Sequence, residues 1–218
     1  MYDGGKNGAG VYQTIINQMP PHEAYIEAFM GSGAILRKKK PAQKSIAIEA
    51  DAAAIARFGD AVPPSTTVIH GDAISLLSEY PYTGRELVYC DPPYLMSTRK
   101  GGKLYRCELA DADHIRLLAV LKALPCMVMV SGYFSRLYAD QLAAWRYITF
   151  QAQTRHGTAT EWLWMNYPEP KALHDYSYLG AGYRERERIK RKALRWADGL
   201  ARLPELERKA IMSQLASS

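Results

Sequence analysis

The sequence has little of what marks several common protein classes. Its 218 residues include three cysteines, Cys90, Cys107 and Cys126, which lie far apart and form no CxxC pair. Neither a disulfide framework nor a structural zinc site is therefore expected, and we predict no metal. No apolar run could span a bilayer, and the glycine-rich start lacks the apolar segment of a signal peptide. These absences predict a cytoplasmic protein without a membrane anchor.

Two nucleotide-binding signatures are begun but not completed. Residues 4–10 are rich in glycine around Lys6, but they have neither the spacing nor the Ser/Thr of a P-loop. A loose terminus is the alternative interpretation of this segment. Gly31 and Gly33 follow a predicted strand and open a predicted helix, yet residue 36 is Leu, so GxGxxG is incomplete. A small adenosine-containing ligand is therefore more expected than a pyrophosphate cofactor.

Apolar runs alternate with segments of helical periodicity along most of the chain. This alternation predicts an α/β fold, Rossmann-like and doubly wound, around a mainly parallel sheet. The character changes near Leu179, where charged, helix-favouring residues begin. We therefore expect one domain over 1–178 and a basic helical segment over 179–218. The predicted strands are 24–29, 45–48, 67–69, 87–90, 126–130, 147–150 and 161–166.

The stretch Asp91-Pro92-Pro93-Tyr94 follows a short apolar strand. Two prolines cannot extend a strand ladder, so Asp91 and Tyr94 are expected on stiff backbone at the strand's carboxyl end. Open α/β sheets bind their ligands at that edge. A carboxylate and the Pro92 carbonyl could accept both N–H bonds of an exocyclic nucleobase amine, while Tyr94 stacks on the base. A turn with a solvated Asp is the alternative.

Two other acidic residues follow predicted strands. Glu49 ends the second strand and lies eighteen residues after Gly31 in the sequence. An acidic residue at about this separation can accept hydrogen bonds from the hydroxyls of a ribose. Asp72 follows the third strand, where it could hold an adenine amino group or cap the next helix. Glu49 could instead be a charge that favours a helix N-terminus.

The net charge is +6, and much of the excess lies late in the chain, where residues 171–218 contain eleven Lys/Arg and six Asp/Glu. A local basic excess indicates a polyanionic partner, although a solvated helix face would look the same. The loop 95–111 also combines basic and aromatic residues, as phosphate and base contacts require. The candidate nucleic-acid contacts are Arg99, Lys100, Lys103, Tyr105, Arg106, Arg184, Arg188 and Lys192.

In order and spacing, these features resemble the Dam-type DNA adenine-N(6) methyltransferases, in particular small prophage members. The resemblance is carried by the Gly-Gly-Lys start and by the segments 27–33, 48–51, 71–73, 91–94, 131–133 and 161–167. It implies an S-adenosylmethionine-dependent methyltransferase fold and direct transfer of a methyl group to a flipped adenine in duplex DNA. The catalytic residues implied are Asp91, Pro92 and Tyr94. The cofactor-binding residues implied are Tyr2, Lys6, Phe29, Gly31, Gly33, Glu49, Asp72, Ala73 and Asp91.

The chain departs from this family at one place. Only eighteen residues separate Asp72 from Asp91, too few for the usual target-recognition insert. Sequence recognition is therefore expected to be short or relaxed, and binding to depend on phosphate contacts and on salt. The same reaction on RNA, cytosine-N(4) methylation and a nucleic-acid-binding module without catalysis remain alternatives. Of these, Asp rather than Ser at position 91 disfavours cytosine.

Overall fold

A computed structural model describes residues 5–59, 62–99, 105–154 and 157–217. The chain divides into two compact units, Met1–Tyr176 and Ser177–Ser218. The sequence placed the boundary two residues later, and the roles expected of the two segments stay predictions. The strands are β1 Ala24–Ala28, β2 Lys44–Glu49, β3 Thr66–His70, β4 Glu86–Cys90, β5 Met127–Gly132, β6 Arg146–Thr154 and β7 Gly157–Met165. The helices are α1 Val11–Ile16, α2 Ala34–Lys38, α3 Ala52–Phe58, α4 Ala73–Glu79, α5 Asp111–Ala123, α6 Arg136–Gln141, α7 Tyr183–Ala201 and α8 Glu205–Ala216, with a 3-10 turn at Met96–Thr98.

The first unit is built on one seven-stranded sheet with the order β3-β2-β1-β4-β5-β7-β6. Strands β1 to β5 are parallel, and β7 runs antiparallel between β5 and β6. The central strands are apolar because both faces are covered: Ile26 of β1 pairs with Ile46 and Val88, and all three are buried. The predicted doubly wound, mainly parallel α/β fold is confirmed.

The strand order reverses between β1 and β4. From β1 the chain winds outward through β2 and β3, then returns to place β4 on the other side of β1. A crevice opens at such a switch point, at the carboxyl ends of the parallel strands. Because β7 is antiparallel, its first half lies at this same edge, and Trp162 pairs with Gly132 at the end of β5.

The second unit contains α7 and α8 and has no fully buried side chain among its described residues. Trp196 and Leu200 of α7 line a recess together with Leu203 and Ile211, among others. Trp196 is nevertheless 64% exposed. Among the described residues, no helix combines the length and apolar character needed to cross a membrane.

Candidate active site

A cavity of about 760 Å³ lies at the carboxyl ends of β1 to β4. Its lining includes six carboxylate side chains and four basic ones. Three of the four basic groups are already engaged: Arg57 lies 3.6 Å from Asp51, the Arg37 guanidinium packs on the ring of Phe58, and the Lys6 ammonium is paired with Asp91. The cavity therefore suits a ligand with hydroxyl and amine donors or positive charge better than one with a pyrophosphate.

The turn after β1 forms one wall of this cavity. Phe29, Gly31 and Gly33 all have positive φ, at 62°, 54° and 62°. For Phe29 this backbone conformation is disfavoured, because its Cβ crowds the neighbouring carbonyl. Hydrogen bonds fix the turn: Met30 N donates to Ile48 O at 2.9 Å, and Gly33 N donates to Met30 O at 2.8 Å. Strain of this kind is common where a fold holds a ligand.

Glu49 lies at the end of β2, buried against the turn. Its Oε2 accepts a hydrogen bond from Gly31 N at 2.7 Å, and its Oε1 accepts one from Asp51 N at 2.8 Å. A carboxylate has about four acceptor positions, so each oxygen retains capacity for a further donor. The structure therefore places Glu49, the residue predicted to bind a ribose, in the cavity wall, with the orientation of its side chain fixed.

Asp72 caps α4, which was one of the two interpretations left open. Its Oδ2 accepts hydrogen bonds from the backbone N of Ser75 at 2.9 Å and from the Ser75 hydroxyl at 2.6 Å. Slight burial opposes the charge, but these hydrogen bonds outweigh it and lower the pKa of Asp72. Asp72 and Ala73 also line the cavity, so capping does not exclude a ligand contact.

Asp91 lines the cavity at the end of β4, directly across the switch point from the turn. Its Oδ1 accepts hydrogen bonds from the Ser131 hydroxyl at 2.8 Å and from the Tyr94 hydroxyl at 3.1 Å. The ammonium of Lys6 lies 2.8 Å from the same oxygen. Oδ2 has no hydrogen-bond partner among the described residues. The carboxylate is thus held through one oxygen, and the other is open to a substrate donor.

Lys6 is buried among three acceptors. Its ammonium also lies 2.5 Å from the Tyr94 hydroxyl and 3.2 Å from Glu161 Oε2. Burial opposes the charge, but Asp91 and Glu161 outweigh burial and raise the pKa of Lys6. An ammonium has three donors, so a contact from Lys6 to the cofactor, as predicted, would replace one of these bonds.

Tyr94 is placed differently from a simple stacking platform. The side chain is 8% exposed, its ring packs edge-on against Tyr133 at 4.6 Å, and it is absent from the cavity lining. Its hydroxyl donates to Asp91 or to Glu161, which lies 3.0 Å away. Stacking on a base would require the ring to be uncovered. The buried Pro92 also lies outside the lining, and its carbonyl accepts no hydrogen bond from a described residue.

Glu27, the penultimate residue of β1, is a further buried carboxyl in the lining. Burial raises the pKa of Glu27 to about 8, although the Tyr25 hydroxyl donates to it at 2.8 Å. At neutral pH this carboxyl is therefore largely protonated.

The predicted nucleic-acid contacts fall into three groups. Tyr105 and Arg106 line the cavity, and Arg184, Arg188 and Lys192 are exposed on α7. The Arg99 side chain is 3% exposed, and its guanidinium pairs with both oxygens of Glu108, so a phosphate contact would require this pair to open. Lys100 and Lys103 lie outside the described residues, as does Tyr2 among the predicted cofactor contacts.

Sequence reasoning did not select Ser131, Glu161 or Glu27 as site residues. The signal available for Glu27 was a lone carboxylate within an apolar strand, which requires a partner when buried. Ser131 and Glu161 depend on which strand lies beside which, and the sequence does not show that. Within the described residues, no group of three or more His, Cys, Asp or Glu could hold a metal ion.

No protein-family model matches the chain, and no curated protein sequence matches it. Among solved structures, it is similar to an rRNA methylase from Streptococcus thermophilus, with 11% identity over 72% of this chain and 93% of that chain and a TM-score of 0.48. It is also similar to a precorrin-6y C5,15-methyltransferase from Geobacter metallireducens, with 9% identity over 71% of this chain and 85% of that chain and a TM-score of 0.48. A third similar structure is a dimethyladenosine transferase from Plasmodium falciparum, with 12% identity over 76% of this chain and 62% of that chain and a TM-score of 0.45. At this level the similarity carries no argument about activity, and the fold assignment depends on the sheet order itself.

Proposed function

We propose that the chain is an S-adenosylmethionine-dependent methyltransferase that acts on the exocyclic amine of adenine in nucleic acid. The observation that carries this proposal is the state of Asp91. The carboxylate sits at the carboxyl end of β4, has three donors within hydrogen-bond distance of Oδ1, and keeps Oδ2 without a partner among the described residues. It lines a cavity that is large enough for a nucleoside-sized ligand.

The residues of the cavity fit this cofactor. The carboxylates of the cavity suit a ligand with a cationic centre, ribose hydroxyls and an adenine amine. Glu49 can accept further hydrogen bonds beside the turn. Phe29, Gly31, Asp72 and Ala73 would hold the rest of the molecule, and all four line the cavity. When bound, S-adenosylmethionine supplies an electrophilic methyl group.

The chain's own contribution is to orient the amine. In an adenine, the lone pair of the amino nitrogen is delocalised into the ring, which makes it a weak nucleophile. If Asp91 Oδ2 accepts one of its two N–H bonds, the pyramidal, nucleophilic form is favoured. The Pro92 carbonyl would accept the other only once it becomes accessible, because Pro92 lies outside the cavity lining. The anchored carboxylate needs no reorganisation to do this, because Ser131, Lys6 and Tyr94 already fix it.

The choice of adenine follows from the resemblance to Dam-type enzymes, in which the Asp-Pro-Pro-Tyr segment grips the target base. The choice of nucleic acid is less constrained. DNA was the expectation from the resemblance, but the Asp-Pro-Pro-Tyr segment acts on the base and not on the sugar, so it does not distinguish DNA from RNA. An RNA substrate is therefore tested on equal terms.

The experiment incubates the purified chain and labelled S-adenosylmethionine with DNA and RNA oligonucleotides of matched sequence, single- and double-stranded. Nucleoside mass spectrometry then identifies the methylated base. Asp91→Asn should lower kcat by about 10²-fold or more, because it removes the charged acceptor. It should change cofactor affinity far less than kcat. Glu23→Gln, which removes an exposed carboxylate paired with Arg85, is the control and should behave as the wild type.

Unchanged turnover in Asp91→Asn would refute the assignment of the active site. A wild-type protein that binds the cofactor but methylates no oligonucleotide would favour the binding-module alternative. Methylation of N(4) of cytosine instead of adenine would leave the chemistry intact and correct the target.

A further inference from the structure

Glu161 is a buried carboxylate in an unexpected place. It lies in β7, between polar, exposed residues before it and the aromatic core residues after it, and it is 6% exposed. Because β7 runs against β5, this part of β7 lies at the edge where the parallel strands end. Burying a carboxylate is costly unless it is paired and hydrogen-bonded.

Glu161 and Asp91 share the same two donors. The Lys6 ammonium lies 3.2 Å from Glu161 Oε2 and 2.8 Å from Asp91 Oδ1. The Tyr94 hydroxyl lies 3.0 Å and 3.1 Å from those same atoms. This hydroxyl has a single proton, so it bonds to one carboxylate at a time, while the ammonium serves both.

A buried lysine needs only one carboxylate for neutrality, and Asp91 already supplies it. A second buried carboxylate adds desolvation cost that a purely structural ion pair would not require. Its effect is on charge: with Glu161 present, the group of Lys6, Asp91 and Glu161 carries a net negative charge. Without it, Lys6 would pair with Asp91 alone and reduce the strength of Asp91 as a hydrogen-bond acceptor.

We propose that Glu161 is a positioning residue, which draws the Lys6 ammonium partly away from Asp91 and keeps the Asp91 carboxylate negative and fixed for the substrate amine. This inference rests on the proposed function, and it adds a residue from the antiparallel strand to that site. Glu161 acts through Lys6 and Tyr94 and is not assigned a contact with the substrate.

The test is a charge cycle measured at saturating cofactor. Glu161→Gln should lower kcat about tenfold and change the cofactor Kd less than twofold. Lys6→Met should also lower kcat, because two carboxylates are then left side by side without a cation. The double variant Lys6→Met/Glu161→Gln restores one net negative charge, so its kcat should exceed that of Lys6→Met alone. Glu23→Gln serves as the control for loss of a carboxylate outside the site.

Melting temperatures accompany every kinetic value. If Glu161 were only structural, the double variant would be no more active than the worse single variant, and this outcome would overturn the inference. Wild-type kcat in Glu161→Gln would also overturn it. Should Glu161→Gln fail to fold, Glu161→Asp replaces it: retained activity with an unchanged cofactor Kd supports the inference, and loss of activity in a folded Glu161→Asp contradicts it. A wild-type chain without methyl transfer would instead refute the proposed function.

Discussion

Replacing Gly33 by Ala should destabilise the first unit through two separable effects. Gly33 has φ of 62° and ψ of 32°, the left-handed region, which costs a residue with a Cβ about 1–2 kcal/mol. The added Cβ would also overlap Cε2 of Phe58 and lie 3.0 Å from Cδ2 of the same ring. Overpacking of this kind costs about 1–3 kcal/mol. The total, about 2–5 kcal/mol, is a large part of the usual stability of a domain.

The ring of Phe58 cannot move away freely. It is buried, the Arg37 guanidinium stacks on it at 4.1 Å, and Arg37 also donates a hydrogen bond to the Phe58 carbonyl. Phe58 and Arg37 both line the cavity. A displaced ring would therefore also change the proposed cofactor site, so Gly33→Ala should weaken the binding of S-adenosylmethionine as well as stability.

Urea unfolding of four proteins tests this reasoning: the wild type, Gly33→Ala, Phe58→Leu and the double variant. A leucine side chain lacks the ring atoms that the new Cβ would meet, so the double variant should be more stable than the sum of the single effects predicts. The expected coupling is about 1–3 kcal/mol. If Gly33→Ala destabilised the wild type and the Phe58→Leu variant equally, the contact argument would be refuted and only the backbone cost would remain.

Three further predictions follow from the charges. Burial raises the pKa of Glu27 to about 8, so its contribution to stability is present at low pH and is lost as pH rises toward 8. Glu27→Gln should therefore flatten the fall in unfolding free energy between pH 5 and 8. Parallel curves of unfolding free energy against pH for the wild type and the variant would contradict this. Burial and the neighbouring His174 lower the pKa of His22 to about 3, so stability falls as pH drops below the usual histidine range. His22→Phe should reduce that acid sensitivity in the same urea experiment. Replacing the exposed Arg184, Arg188 and Lys192 by Gln should reduce the salt dependence of duplex DNA binding, with the slope of log K against log salt smaller by up to about 3 and cofactor affinity retained; an unchanged slope would place the phosphate contacts elsewhere.

Most of the fold was predictable from local sequence. Each of the seven strands was expected within a few residues, because short apolar runs bounded by Gly, Pro and Asp are distinctive in an α/β chain. The turn at Gly31, Glu49 and Asp91 could also be grouped in advance. Parallel strands end at a common edge, so residues that follow them converge without any knowledge of strand order.

The remaining features depend on tertiary pairing. The sequence predicted the last two strands but not that β7 inserts between β5 and β6, which is what brings Glu161 to the site. The pairing of Arg99 with Glu108 gave no local signal either, since two charges on a loop are usually solvated. Tyr94 shows the same limit: its position after Pro93 was predictable, but the contact of its ring with Tyr133 was not.

The ion pair between Lys6 and Glu161 has a consequence for biosynthesis. In the sequence, the two residues lie near opposite ends of the first unit, and Glu161 belongs to the strand that is made last. While the ribosome has made only the five parallel strands, Lys6 and Asp91 lack their second carboxylate. The proposed active site can therefore be completed only after β7 has left the exit tunnel, and a chain truncated before that strand would lack Glu161.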